Sequence, residues 1–169
     1  MRPGAAADVE ACVAVWVAAC AARDGRAVDG VAERARPKFD AAVVWLIVDG
    51  SDGSDGVDGM DGSDGSDGID GFVLATRPGS GLPGDPADAP VLGLLATRPG
   101  AQTRGTGRAL LRAATRELAA RGYERVVLHV LLDNVGAVRL YESEGWAAAG
   151  VPFEHSLLKR STQRFERVL

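Results

Sequence analysis

This sequence has few of the residues that most often form metal sites or disulfides. Its 169 residues include only two cysteines and two histidines. Cys12 and Cys20 fall in one predicted helix, which rises by about 1.5 Å per residue and would place them roughly 12 Å apart. That separation is too long for a disulfide. We therefore expect two small core residues of a reduced compartment, and no Cys/His cluster that could hold a metal.

Long hydrophobic runs are also missing. No apolar run approaches the roughly 20 residues that a membrane-spanning helix needs. The N-terminal stretch Met1-Arg2-Pro3-Gly4 lacks the basic-then-apolar layout of a signal peptide. Hydrophobic residues make up 46% of the chain and charged residues 25%, which is typical of a soluble globular protein. The sequence therefore predicts one cytoplasmic domain over residues 1–169.

Basic residues are absent from one acidic segment. Residues 48–71 consist of eight consecutive X-Asp-Gly triplets. The negative charge of their aspartates is larger than the formal net charge of the whole chain, which is −4. Asp-rich Gly loops can supply oxygen ligands to calcium, but these triplets contain neither an Asp-x-Asp-x-Asp-Gly loop nor a closing Glu. The composition favours a disordered, solvated insert over residues 49–71, with calcium binding as the alternative.

Hydrophobic periodicity predicts alternating helices and strands. Two N-terminal helices are expected, the first with Asp8 as its N-cap and the second ending before Pro37. Strands are predicted over 42–48, 71–76, 90–97 and 123–131, helices over about 107–120 and 135–143, and two further strands around a loop at 154–161. This order predicts an α/β sandwich around a mixed sheet.

A glycine-rich turn joins one of these strands to a helix, within residues 94–111. Such a turn presents backbone N–H groups at the positive end of a helix dipole, which suits a phosphate. A Walker loop would need Gly-Lys-Ser/Thr at its end, and this turn has none. A dinucleotide fingerprint would need a third glycine where Leu110 stands. Another phosphate-bearing ligand is therefore indicated.

Two motifs resemble the GCN5-related N-acetyltransferases. The family's pyrophosphate loop reads Arg/Gln-x-x-Gly-x-Gly/Ala after a strand that ends in apolar-x-Pro, and the chain has Thr97-Arg98-Pro99 followed by Gln102-Thr103-Arg104-Gly105-Thr106-Gly107. The family's second motif reads Asn-x-x-Ala-x-x-Leu-Tyr-x-x-x-Gly-Phe, and the chain has Asn134, Ala137, Leu140, Tyr141, Gly145 and Trp146 in that register. Asn134 is the chain's single asparagine, so composition does not explain the match.

The resemblance implies a mixed, largely antiparallel sheet that is splayed in the middle and flanked by helices. It implies an N-acetyltransferase that uses acetyl-CoA as the acetyl donor, with direct attack by a primary amine on a small molecule or peptide. We expect no metal, no nucleic-acid or membrane partner, and a monomer or homodimer. The implied coenzyme contacts are Leu95, Ala96, Thr97, Gln102, Thr103, Arg104, Gly105, Thr106, Gly107, Arg108, Asn134 and Ala137.

The resemblance also assigns the leaving-group chemistry to Tyr141. It lies on one helical stripe with Asn134, Ala137 and Val138, and it would protonate the departing thiolate. The alternative is an aromatic residue of the core.

The general base is not evident in the sequence. Many relatives carry a Glu on the strand before the glycine-rich loop, whereas the strand here begins Val91-Leu-Gly-Leu-Leu. His129 or a water could serve as the base, unless His129 is only a strand residue that faces solvent or binds an interior partner. The missing carboxylate leaves open a non-catalytic acyl-CoA-binding or regulatory domain. The short N-terminus also leaves little room for the family's first strand.

Overall fold

One mixed sheet organises the chain, and the computed structural model describes residues 1–50, 68–100 and 105–169. The strands are β1 (Arg2–Pro3), β2 (Ala42–Asp49), β3 (Ile69–Thr76), β4 (Val91–Thr97), β5 (Arg125–Leu131), β6 (Ala147–Glu154) and β7 (Ser161–Val168). The helices are α1 (Val9–Asp24), α2 (Val31–Asp40), α3 (Thr106–Ala120) and α4 (Val135–Ser143). The strand order is β1-β2-β3-β4-β5-β7-β6, and β4 and β5 form the parallel pair. The predicted mixed, largely antiparallel sheet is confirmed. No helix within these ranges has the length and apolar character to cross a membrane.

The helices cover both faces of the sheet and form two hydrophobic clusters. On one face α3 packs against β2 to β5, with Leu110 and Leu118 fully buried against Val126. On the other face α1 and α2 pack against β3 and β4. Cys12 and Cys20 are buried and unbridged, which confirms that they are core residues.

Helix α2 continues through Pro37, so the prediction that it ends there was wrong. A proline inside a helix costs roughly 3 kcal/mol, mainly through one lost backbone hydrogen bond and a clash. Phe39, in the last turn, is 8% exposed and lies with its ring centroid 4.9 Å from Trp45 and 6.0 Å from Phe72. This aromatic packing holds the last turn, and the sequence pattern does not reveal it.

The first residues also differ from expectation. The side chain of Asp8 does not cap α1; it accepts from the Ala5 N–H at 2.8 Å and binds Arg2 through both oxygens. Arg2 and the next residue form the short strand β1 beside Leu46 and Ile47. The N-terminus therefore has room for a first strand of two residues, which pairs with β2.

The outer residues of the predicted acidic insert belong to the sheet. Asp49 ends β2 and pairs with Ile69, which begins β3 and is 3% exposed. A side chain at Gly71 would place its Cβ 2.8 Å from the Ala96 carbonyl oxygen, so the close approach of β3 to β4 requires glycine. The insert prediction was therefore wrong at its ends. Residues 51–67, on which the disorder and calcium interpretations rest, lie outside the described residues.

Replacing residues 51–67 with Asn-Gly is expected to preserve both the fold and coenzyme binding. The Gly50 N–H donates to the Gly68 carbonyl oxygen at 2.7 Å, so the ends of the segment already face each other across a hairpin. Asn-Gly is the preferred two-residue hairpin loop. Thermal melting and acetyl-CoA calorimetry on both chains test this expectation. A variant that is unfolded or fails to bind would show that the segment is a structural element.

Candidate functional site

The sheet opens between β4 and β5, in the middle of the strand order. In the described part of the chain these parallel strands pair at a single position, Val91 with Val127. The Val127 N–H also donates to the Pro90 carbonyl oxygen at 3.1 Å. Beyond this point the strands separate, which leaves a cleft between their C-terminal halves.

The backbone of β4 presents free polar groups to this cleft. The Arg98 N–H donates to the Asp70 carbonyl oxygen at 2.8 Å. In an antiparallel ladder the bonding direction alternates from residue to residue. Leu95 and Thr97 therefore direct their N–H and C=O groups away from β3, into the cleft. Ala96 is turned the other way, toward β3, and its side chain lies in the α1 face of the core.

A β-bulge lies at the mouth of the cleft. Leu74 pairs with Leu94 and Ala75 with Leu92, which leaves Gly93 as the extra residue of β4. A Cβ at Gly93 would lie 3.4 Å from Lys38 Cδ, and the Lys38 Nζ donates to the Gly93 carbonyl oxygen at 3.1 Å. The space where a strand side chain would point is therefore filled by a lysine from α2. The sequence analysis did not identify Lys38 as a site residue. The one signal that could have indicated it is the rarity of lysine, since the chain has two lysines among 19 basic residues.

The N-terminus of α3 covers the far end of the cleft. Gly105 precedes the helix with φ 73°, in the left-handed region, and its carbonyl oxygen accepts the helical bond from the Ala109 N–H. The N–H groups of residues 106–108 precede that bond and have no partner within the helix. A Cβ at Gly107 would lie 3.9 Å from Thr97 Cγ2 and 4.0 Å from Leu140 Cδ2, so the helix start touches both β4 and α4. Gln102, Thr103 and Arg104, the rest of the predicted turn, lie outside the described residues.

Arg108 links α3 to the end of α4. It donates to a carboxylate oxygen of Glu144, which Arg112 also binds at 2.7 and 2.9 Å. The side chain of Glu144 is only 5% exposed, and the Arg112 guanidinium lowers the pKa of this carboxyl. The two arginines therefore hold the α3 N-terminus in place relative to α4.

Helix α4 begins and ends with signals that its sequence encodes locally. The Asn134 Oδ1 caps it by accepting from the Ala137 N–H at 3.4 Å. At the other end Gly145 adopts φ 80°, and the Trp146 N–H returns to the Tyr141 carbonyl oxygen at 3.1 Å. This C-terminal motif folds the indole back over Tyr141, with ring centroids 6.0 Å apart.

Tyr141 is buried in the hydrophobic cluster on the α3 face of the sheet. It is 8% exposed and shares a hydrophobic cluster with Leu95 of β4 and Val130 of β5, one residue from each side of the opening. Burial raises the pKa of Tyr141 to about 12. The phenol therefore stays protonated at any ordinary pH.

His129 lies on β5, two residues beyond the position where β4 and β5 pair. Its Nε2 is 3.0 Å from Oδ1 of Asp85, and the other oxygen of that carboxylate, Oδ2, accepts from the Leu82 N–H at 2.7 Å. Asp85 comes from the loop between β3 and β4, 44 residues away in sequence. His129 thus has an interior partner, which was the alternative to a role as the base. The same partner fixes the orientation of its ring.

Comparison with known proteins finds a family match over the site. A family model described as "Acetyltransferase (GNAT) family" matches residues 69–146, from the start of β3 to Trp146. A mycothiol acetyltransferase from Beutenbergia cavernae is 42% identical over 64 residues, which cover 38% of this chain and 22% of that protein. The chain therefore matches about a fifth of the length of this curated relative.

Solved structures share the fold at low sequence identity. The ribosomal-protein-S18-alanine N-acetyltransferase from Escherichia coli has a TM-score of 0.65 and 19% identity, over 98% of this chain and 90% of that one. The NatC complex bound to Gag peptide and CoA contains a chain with a TM-score of 0.70 and 14% identity, over 99% and 96%. These likenesses support the fold.

Proposed function

We propose that this chain transfers an acetyl group from acetyl-CoA to a primary amine, since its residues 69–146 match the acetyltransferase (GNAT) family model. Residues 1–169 would then form one acetyltransferase domain. The observation that carries the proposal is the cleft between β4 and β5, with the unpaired backbone groups of β4 along it, the N-terminus of α3 at its far end, and Tyr141 in the hydrophobic cluster that also includes Leu95 and Val130.

The cleft fits an extended arm that ends in a pyrophosphate. Leu95 and Thr97 offer their backbone N–H and C=O groups as a strand would to a missing neighbour. The N–H groups of Thr106 and Gly107 at the α3 N-terminus suit the pyrophosphate, and Gln102, Thr103 and Arg104 would complete that turn. The NatC neighbour is bound to CoA, which supports the same ligand here.

Other predicted contacts fit less directly. Asn134 uses Oδ1 as a helix cap, which leaves its amide N–H groups for the coenzyme. Arg108 is bound to Glu144 but remains partly exposed, so its positive charge could still attract the pyrophosphate of the coenzyme. Ala96 faces β3, so we propose no contact from it beyond holding its neighbours in register.

The chain's own residues would move the protons. Acetyl-CoA supplies the activated acetyl thioester when it is bound. Tyr141 would donate to the departing sulfur as negative charge develops there. When Nε2–H of His129 donates to Asp85, Nδ1 carries the lone pair and can take the amine proton, directly or through a water. A carboxylate is absent from β4, so His129 is the proposed base.

Replacing His129 with glutamine is expected to lower kcat/KM about tenfold at neutral pH. This is below the usual value of general base catalysis because a water can take the proton in place of the imidazole. The matched control is Asp85→Asn, which retains the imidazole and should therefore lose less kcat/KM than His129→Gln. No loss in either variant, or an equal loss in both, would leave His129 as a structural residue.

The activity itself is tested by acetyl-CoA-dependent release of free thiol. The amine panel should include small amines, polyamines, aminoglycosides and an alanine-terminated peptide, corrected for hydrolysis without an amine. Coenzyme binding is measured in parallel by calorimetry. Binding without amine-dependent release would favour the non-catalytic acyl-CoA-binding alternative, and absence of binding would contradict the cleft assignment.

A further inference from the structure

Two cations on α2, Arg34 and Lys38, lie on one face of the helix. Arg34 and Lys38 are four residues apart, a spacing at which like charges destabilise a helix. Arg36, between them in sequence, is bound by Glu10 at 2.9 Å. Within the ranges that the structure describes, neither Arg34 nor Lys38 forms an ion pair, and the hydrogen-bond partner of Arg34 is the neutral Ser156 Oγ at 2.8 Å.

Lys38 brings one of these charges to the mouth of the cleft. Its Nζ donates to the Gly93 carbonyl oxygen, at the β4 bulge two residues beyond the pair that closes the cleft. An ammonium has three donors, and one carbonyl oxygen engages one of them. Strand β4 has no charged side chain. Burial lowers the pKa of Lys38, and Arg34 lowers it further, as expected for a cation that lacks an anionic partner.

The surrounding elements do not supply that partner. The turn between β6 and β7 contributes His155, whose Nδ1 accepts from the backbone N–H of Leu157 and Leu158 and is therefore unprotonated. Burial is the main cause of the lowered pKa of His155. The positive charges around it lower this pKa further, and they belong to Arg34, Arg23, Lys38 and Arg160.

The acid groups nearby are already engaged. Asp24, at the end of α1, binds Arg23 at 2.7 Å and Arg160 at 2.6 Å. Asp85, in the loop between β3 and β4, binds His129 at 3.0 Å. Glu33 and Asp40 also lie on α2, and within the described ranges neither forms an ion pair with Arg34 or Lys38. Arg34 and Lys38 therefore have no acidic partner among the described residues.

We propose that Lys38, assisted by Arg34, binds an anionic oxygen group of the acceptor, so that the acceptor is an amine that also carries a carboxylate or phosphate. This inference rests on the proposed acetyl transfer. An amine approaching the cleft past the β4 bulge passes Lys38, and an anion there receives two charge-assisted donors. A polycationic acceptor such as a polyamine or aminoglycoside would be repelled.

Matched acceptors that differ in one charge test the proposal. L-alanine is compared with L-alaninamide for the carboxylate, and O-phosphoethanolamine with ethanolamine for the phosphate. The wild type should prefer at least one acid over its neutral partner by tenfold or more in kcat/KM. Lys38→Met should lose at least tenfold on that acid and less than twofold on the neutral amine, while Lys38→Arg retains the preference. Arg36→Met, on the same helix but paired with Glu10, is the matched control and should leave the preference unchanged.

Binding of the same probes separates this inference from the proposed activity. Calorimetry of each pair with CoA already bound reports the preference without turnover. A tenfold preference in affinity that Lys38→Met removes supports the anion site even if no acetyl is transferred. Equal affinity of acid and neutral partner, or an equal loss on both in folded Lys38→Met, would overturn it.

Discussion

Replacing Tyr141 with phenylalanine is expected to lower the single-turnover rate by about 10²-fold or more, with less than about twofold change in acetyl-CoA affinity. The substitution keeps the ring and therefore its packing against Trp146 and Phe165, whose ring centroids lie 6.0 and 6.4 Å away. It removes the hydroxyl that we propose donates to the departing sulfur. General acid catalysis contributes about 10²–10⁴-fold.

The raised pKa favours the lower end of that range. A thiol has an ordinary pKa near 8.5, whereas burial raises the pKa of Tyr141 to about 12. Complete proton transfer to a thiolate would then be uphill by roughly 3.5 pKa units, or about 5 kcal/mol. A hydrogen bond to a charged acceptor is worth about 1.5–3 kcal/mol and needs no complete transfer. Because the group loses its proton only near pH 12, it should cause no alkaline fall in rate across the usual assay range.

Tyr123→Phe is the matched control, since Tyr123 is the other tyrosine and also packs against the α3 face of the core. It should leave the single-turnover rate unchanged. Single-turnover measurement is needed because slow product release can hide a change in the chemical step. A rate for Tyr141→Phe within about twofold of the wild type would leave Tyr141 as a core aromatic, the alternative that its burial also allows.

Elements with local signals could be predicted from the sequence to within a residue. Helix α4 runs over Val135–Ser143 as predicted, because Asn134 caps its start and Gly145 supplies the left-handed residue after its end. Helix α2 was mispredicted because the residue that keeps its last turn folded, Phe39, acts through Trp45 and Phe72 in other elements. Neighbouring residues determine the first case and tertiary packing the second.

The candidate site also contains features that neighbouring residues determine and features that tertiary packing determines. The orientation of Leu95 and Thr97 follows from strand alternation once the register is known, so a motif can indicate it. Asp85 and Lys38 meet their partners across 44 and 55 residues of sequence, and neither partner belongs to a recognisable motif. Lys38 in particular contacts a backbone carbonyl at a bulge. The glycine in Val91-Leu-Gly-Leu-Leu is a local signal of that bulge, but it does not identify the lysine that contacts it.

Gly107→Asp is expected to weaken acetyl-CoA binding at least tenfold while leaving the fold intact. Gly107 is the second residue of α3, and a Cβ there would make ordinary contacts at 3.9 and 4.0 Å, so a side chain can be accommodated. An acidic residue in the first turn stabilises a helix by about 0.3–1 kcal/mol through its dipole. Against a pyrophosphate the same charge is repulsive, by as much as about 4 kcal/mol for one pair of charges 4 Å apart at an effective dielectric constant near 20. Gly105 is the poorer choice, because its φ of 73° would strain any other residue and confound the result.

Gly107→Asn isolates the charge, because it has nearly the same shape as aspartate and no net charge. Calorimetry with acetyl-CoA should give the Asn variant an affinity within about threefold of the wild type and the Asp variant one at least tenfold weaker, a difference of about 1.4 kcal/mol. Higher salt should narrow the gap between the two variants, since screening acts on the charge and not on the side-chain volume. Equal affinities of the folded Asp and Asn variants would mean that no phosphate lies at the N-terminus of α3, and the coenzyme would then have to bind elsewhere in the cleft.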